Sequence, residues 1–209
     1  MLYINNILLF IYTLLSSNHE IDIQDMNYKN KHILGVTTLW TTYPIFHVFY
    51  TFNNNILIFI ATLLTFICIV STLFWSNPKG NSFLHKADKF LVQIFFIIIL
   101  LYSIQIEFPI FKLIIILSLI IVFYILSYIF FVKQYTILQC ISHIIFRYIF
   151  FWWCYIIMVP IQLNFIIISI GYFSHIIVLY NINLHKLNYW CSCVILLCWI
   201  YYCSNIHYN

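Results

Sequence analysis

Long apolar runs, broken by short polar segments, set the rhythm of this chain. Apolar runs of about 17–25 residues are long enough to cross a bilayer as helices. Seven segments have this character: 33–52, 56–75, 90–104, 109–132, 136–159, 162–180 and 189–203. The first is the least apolar, because Thr37, Thr38, Thr41, Thr42 and Pro44 fall inside it. The third and seventh are short and must borrow flanking residues. Strands do not suit these runs. Barrel strands alternate apolar and polar side chains, whereas residues 95–101 read Phe-Phe-Ile-Ile-Ile-Leu-Leu. Helices satisfy their backbone hydrogen bonds internally, and in lipid that outweighs the modest helix propensity of Ile. The pattern therefore predicts an all-α, polytopic transmembrane helical bundle of about seven spans over residues 33–209. A segment of residues 1–32 precedes it. Its apolar run, 2–15, is short and lacks the basic flank of a signal peptide. It reads equally as an interfacial helix, an extra span or a weak signal.

Composition narrows the class. Hydrophobic types make up 65% of the 209 residues and charged types only 7%. An ordinary soluble domain is about 25% charged, and a folded chain of ~150–300 residues still exposes about a quarter to a third of its unfolded surface. A soluble domain, a disordered tail and a nucleic-acid-binding domain are excluded, and membrane lipids are the expected surroundings. Ile occurs 44 times, Ala twice and Gly three times. The abundant types have AT-rich codons, which points to an AT-rich genome. The scarcity of Gly and Ala matters physically, because close crossings of membrane helices normally use small residues. Ser and Thr must supply such contacts here.

Charge sets an orientation. Counting spans from residue 33, the loops on the side of the first span's N-terminus hold Lys29, Lys31, Lys79, Lys86, Lys89, Lys133 and Lys186. The opposite loops hold no Lys or Arg, and Lys112 and Arg147 lie inside spans. Cytoplasmic loops carry the Lys and Arg excess, so the lysine-rich loops are expected in the cytosol and the C-terminus on the far side.

The loop after the second span carries the first candidate chemistry. Ser71, Phe74 and Trp75 close that span; His85 and Asp88 precede the third. The arrangement resembles the signature of a seven-span superfamily that contains the hemolysin III-type proteins, the progestin/adiponectin receptors, the alkaline ceramidases and the Per1-type lipid-remodelling proteins. Their pattern is Ser-x-x-aromatic-His, then an Asp at the start of span three, then His-x-x-x-His at the last span. Ser71, Phe74 and Asp88 match in type and order, and His185 matches the first position of the final pair. Trp75 and Tyr189 stand where the pattern asks for His. The resemblance implies a zinc site of three His supported by the Ser and Asp. An indole nitrogen is a donor only and binds no metal, whereas a catalytic zinc normally takes three protein ligands. The expectation is therefore a non-catalytic relative with a structural or interaction role, without a cofactor. A zinc-dependent lipid amidase or hydrolase with Ser71, His85, Asp88 and His185 is the alternative.

A second constellation lies deeper. Arg147 is the chain's single Arg and sits near the middle of the fifth span, with His143 one turn earlier and His175 at similar depth in the sixth. A charge at the bilayer centre costs about 2.5–3.5 kcal/mol and normally faces the bundle interior or water. No acid lies within the seven segments, so a carbonyl, a water cavity, a lipid phosphate or a substrate anion is the expected partner. A small carrier built on Arg147, His143 and His175 is a further reading. The seven Cys all lie in the spans, which is not a disulfide framework. Cys191 and Cys193 near the cytosolic boundary are candidates for acylation.

Overall fold

The computed structural model describes residues 28–51, 54–78, 82–159, 165–181 and 186–205. Residues 1–27, including the run 2–15, lie outside the described residues, as does His185. The described chain is helical with no strand among the described residues: α1 (Tyr28–Thr38), a 3-10 turn (Leu39–Thr41), α2 (Thr42–Thr51), α3 (Asn55–Ser76), α4 (Phe83–Gln105), α5 (Ile110–Val132), α6 (Thr136–Met158), α7 (Phe165–Asn181) and α8 (Lys186–Asn205). Four of them, α3 to α6, are long and apolar enough to cross a membrane. They expose large apolar side chains such as Phe59, Phe66, Leu101, Ile121 and Ile137.

The first run is a broken helix. Pro44 lacks the N–H that would bond the Trp40 carbonyl, and its ring crowds that carbonyl. The chain answers with the 3-10 turn Leu39–Thr41 before α2 begins. This least apolar segment is also the most buried, with every residue from 33 to 45 inside the protein. Its threonines make that tolerable by bonding to the helix itself. Thr37 and Thr38 each donate to the Leu34 carbonyl at 3.1 Å, and Thr41 and Thr42 donate to Thr38 and Leu39 at 2.6 Å. α1, α2 and the turn between them pack against α3, α6 and α8, and α1 also packs on α7.

α4 starts at Phe83, seven residues before the apolar run 90–104. Ser82 caps it, its Oγ accepting from the His85 N–H at 3.2 Å. An N-cap Ser satisfies one of the free donors of the first turn. The early start places Asp88 inside the helix. At their other ends α4 and α5 close with paired reverse bonds: Phe108 N to Ser103 O and Glu107 N to Ile104 O, then Tyr135 N to Phe130 O and Gln134 N to Phe131 O. This closure needs a left-handed residue and normally uses Gly. The glycine-poor chain uses Glu107 (φ 53°) and Gln134 (φ 60°) instead.

Two apolar clusters fill the bundle. One joins α1, the 3-10 turn and α2 to α6, α7 and α8 around Trp40, Tyr43, Tyr155 and Tyr172. The other joins α3, α4, α5 and α6 around Ile60, Leu64, Phe95, Ile99 and Trp153. In the second, the fully buried Trp153 donates its indole N–H to Ser103 Oγ at 3.2 Å. Ser103→Ala is expected to cost about 1–3 kcal/mol, the usual penalty for stranding a buried donor. Denaturant unfolding in micelles measures it. An unchanged midpoint would show that the indole N–H is served from elsewhere.

Candidate functional site

Four helices enclose a cavity of about 170 Å³ that reaches from the lysine-rich end of the bundle to Arg147 in the middle of α6. α3 contributes Phe74 and Trp75, and α4 contributes His85, Asp88 and Lys89. α5 adds Tyr124, Ser127, Tyr128 and Phe131, and α6 adds Gln139, His143 and Arg147. Leu34 of α1 completes the wall. Helical spacing explains the sets. Side chains three or four apart share a face, as do His85 with Asp88, and Gln139 with His143 and Arg147.

Arg147 is the centre of the polar network. Its Nη1 donates to the Leu34 carbonyl and to Thr38 Oγ1, the latter at 2.6 Å. The guanidinium carbon lies 5.2 Å from the centre of the Trp75 ring, within the range of a cation–π contact. Thr38 Oγ1 is 3.5 Å from Ser71 Oγ, and Ser71 lies beside Asp88. A hydroxyl has one hydrogen. Thr38 gives its own to the Leu34 carbonyl, so Ser71 is the donor where the two hydroxyls meet, and Thr38 accepts from Arg147 as well. Asp88 and Arg147, 59 residues apart in the chain, thus sit on either side of two hydroxyls, and their charges act on one another.

The histidines divide. His85 is buried and stacks flat on Phe74, with ring centres 5.0 Å apart and planes 7° from parallel. His143 meets Trp75 edge-on at 6.0 Å. His175 does not line the cavity; its Nδ1 accepts from the Trp40 indole at 3.2 Å. The structure therefore brings together Ser71, Trp75, His85, Asp88, His143 and Arg147, and sets His175 in a packing role beside Trp40. Tyr189 also reaches the end of α3. Its hydroxyl donates to the Thr72 carbonyl at 2.8 Å, next to Ser71. Among the described residues, no three His, Cys, Asp or Glu side chains converge as a metal set. No known family model, curated protein or solved structure matches this chain.

Sequence reasoning treats Asp88 and Arg147 as parts of separate sites and finds no acid for the arginine. Asp88 falls outside the apolar run 90–104, but it lies inside α4. The available signal was Ser82, whose capping chemistry starts the helix early enough to carry Asp88 inward. Thr38 and the Leu34 carbonyl carried no signal of their own, because hydroxyls and carbonyls become arginine partners only through helix packing.

Proposed function

We propose that this chain is a multi-pass integral membrane protein of seven spans. Its lysine-rich end faces the cytosol, and it acts by binding at the Asp88–Arg147 cavity, not by zinc chemistry. In this reading it is a non-catalytic relative of the superfamily it resembles. The observation that carries the reading is the place of Trp75. It stands at the position of the first metal-binding His of that pattern, and its ring lies against the Arg147 guanidinium. An indole offers no lone pair to a metal, and a fixed guanidinium in the same cavity opposes a dication. His85 is stacked on Phe74, and His143 faces Trp75. The described donor set therefore does not fit zinc. The seven apolar runs support the span count, since each meets one helical unit when α1 and α2 are taken as one broken span. Trp75, His85, Asp88, Phe131 and Gln139 lie at the helix ends that adjoin the lysine loops, which supports a site that opens at the cytosolic boundary and reaches inward to Arg147.

Two measurements on purified and vesicle-embedded protein test this. Metal analysis is expected to find no stoichiometric zinc. Lys133→Cys is expected to gain maleimide labelling from the cytosolic face, and Glu107→Cys from the opposite face, each above the labelling of the parent chain. Stoichiometric zinc that is lost in His185→Ala overturns the non-catalytic reading. Labelling of both positions from one face overturns the topology.

A further inference from the structure

Several polar groups of the cavity are left unanswered by the protein. Arg147 has five N–H donors in a rigid fork. Nη1 uses its two on Leu34 and Thr38, so Nε and Nη2 keep three for the cavity that Arg147 lines. Asp88 Oδ1 and Trp75 Nε1 are buried and meet no hydrogen-bond partner among the described residues. Buried polar groups in native proteins are nearly always partnered. Orphans of opposite sense on one cavity wall call for a ligand that both accepts and donates.

Charge selects the class. Two cations, Arg147 and Lys89, face the cavity with one carboxylate, Asp88. Arg suits phosphate because its planar fork matches two oxygens at once. Asp88 suits a donor that is itself cationic. The space, about 170 Å³, is smaller than the roughly 300–1,000 Å³ of pockets for drug-sized ligands. It admits a headgroup and not a whole lipid. Its position supplies the rest of the molecule. α4 packs closely on α3, and α5 on α6, with little close contact between α4 and α5. The cavity draws its walls from both pairs, so it lies in the cleft between them. Phe90 and Ile97 on α4 and Ile121 on α5 are exposed apolar side chains of the two helices that flank the cleft, and such a surface suits acyl chains.

We propose that this cavity binds the headgroup of a phospholipid bearing an anionic phosphate and a hydrogen-bond-donating ammonium, with the phosphate on Arg147 and Lys89 and the ammonium on Asp88. This rests on the reading of the chain as membrane-spanning, with the cavity opening at the lysine-rich boundary beside Lys89 and reaching inward to Arg147. A choline headgroup has the same phosphate, but its quaternary nitrogen carries no hydrogen to give to Asp88. An ethanolamine headgroup has three.

The test is equilibrium binding of acyl-labelled phosphatidylethanolamine and phosphatidylcholine to the full chain in detergent micelles. The wild-type protein is expected to prefer phosphatidylethanolamine by about tenfold, the worth of one charge-assisted hydrogen bond. Asp88→Asn is expected to abolish the preference, and Asp88→Glu to retain it. Lys89→Gln, at an exposed position, is expected to weaken both lipids alike, which keeps the phosphate half testable if Asp88→Asn does not fold. Free phosphoethanolamine is expected to compete poorly; competition as strong as that of the lipid would make a soluble headgroup the ligand and overturn the lipid assignment. Equal binding of the two lipids, or a preference untouched by Asp88→Asn, overturns the headgroup site. If that happens while the maleimide topology holds, the membrane reading stands without it.

Discussion

Replacing Arg147 with glutamine is expected to destabilise the bundle by about 3–5 kcal/mol, the usual cost of leaving a buried charge uncompensated. Arg147 fastens α6 to α1 through the Leu34 carbonyl and Thr38. It also loads the Trp75 face, a contact worth about 0.5–2 kcal/mol. The largest part of the loss lies on α4. Asp88 would keep its charge and its unpartnered Oδ1, with Lys89 at the rim as the cation left beside it. Adding Asp88→Asn to Arg147→Gln is therefore expected to recover part of the stability, with a coupling of about 0.5–3 kcal/mol, as neighbours in one network show. Reversible unfolding of the two single variants and the double variant in mixed micelles gives the cycle. Strict additivity would show that the two charges do not form one site.

Gly35→Ala is expected to cost about 2–4 kcal/mol, for a reason of space alone. No glycine among the described residues has a positive φ, so alanine's backbone preference is no obstacle and even favours the helix. A Cβ at Gly35 would instead enter the Tyr189 ring, with Cε2 at 2.7 Å and Cζ at 2.9 Å. Over-packing of a filled core costs about 1–3 kcal/mol. The ring cannot swing aside freely, because its hydroxyl is bonded to Thr72 and stranding it costs a further 1–3 kcal/mol or so. Tyr189→Ala in the same chain removes the obstacle, and the double variant is expected to be clearly less destabilised than the sum of the two single variants. A full sum would place Tyr189 away from Gly35. One of three glycines in the chain thus marks a close approach of α1 and α8.

The helical class was legible because lipid leaves a buried backbone few solutions, and the apolar runs match α3, α5 and α6 almost residue for residue. The run 33–52 was legible as a helix, but its centre was not. Thr37, Thr38, Thr41 and Thr42 lower its hydropathy and mark it as the weakest span. In the fold they turn back onto carbonyls, and the segment becomes the shared partner of α3, α6 and α8. A hydropathy pattern records side-chain polarity and cannot record where a hydroxyl spends its hydrogen. His143 and His175 face different neighbours for a related reason. Similar depth in two spans does not fix rotation about the helix axes, and α7 turns His175 to Trp40.

The sequence by itself determined a helical chain with runs long and apolar enough to cross a membrane, because few charges interrupt them, and it determined which ends carry the lysines. Only the tertiary structure decided that Asp88, Ser71, Thr38 and Arg147 form one network. That link depends on how α1, α3, α4 and α6 rotate and cross, and helix crossings are set by the packing of bulky side chains around Gly35 and Trp75, not by the order of residues along any one helix.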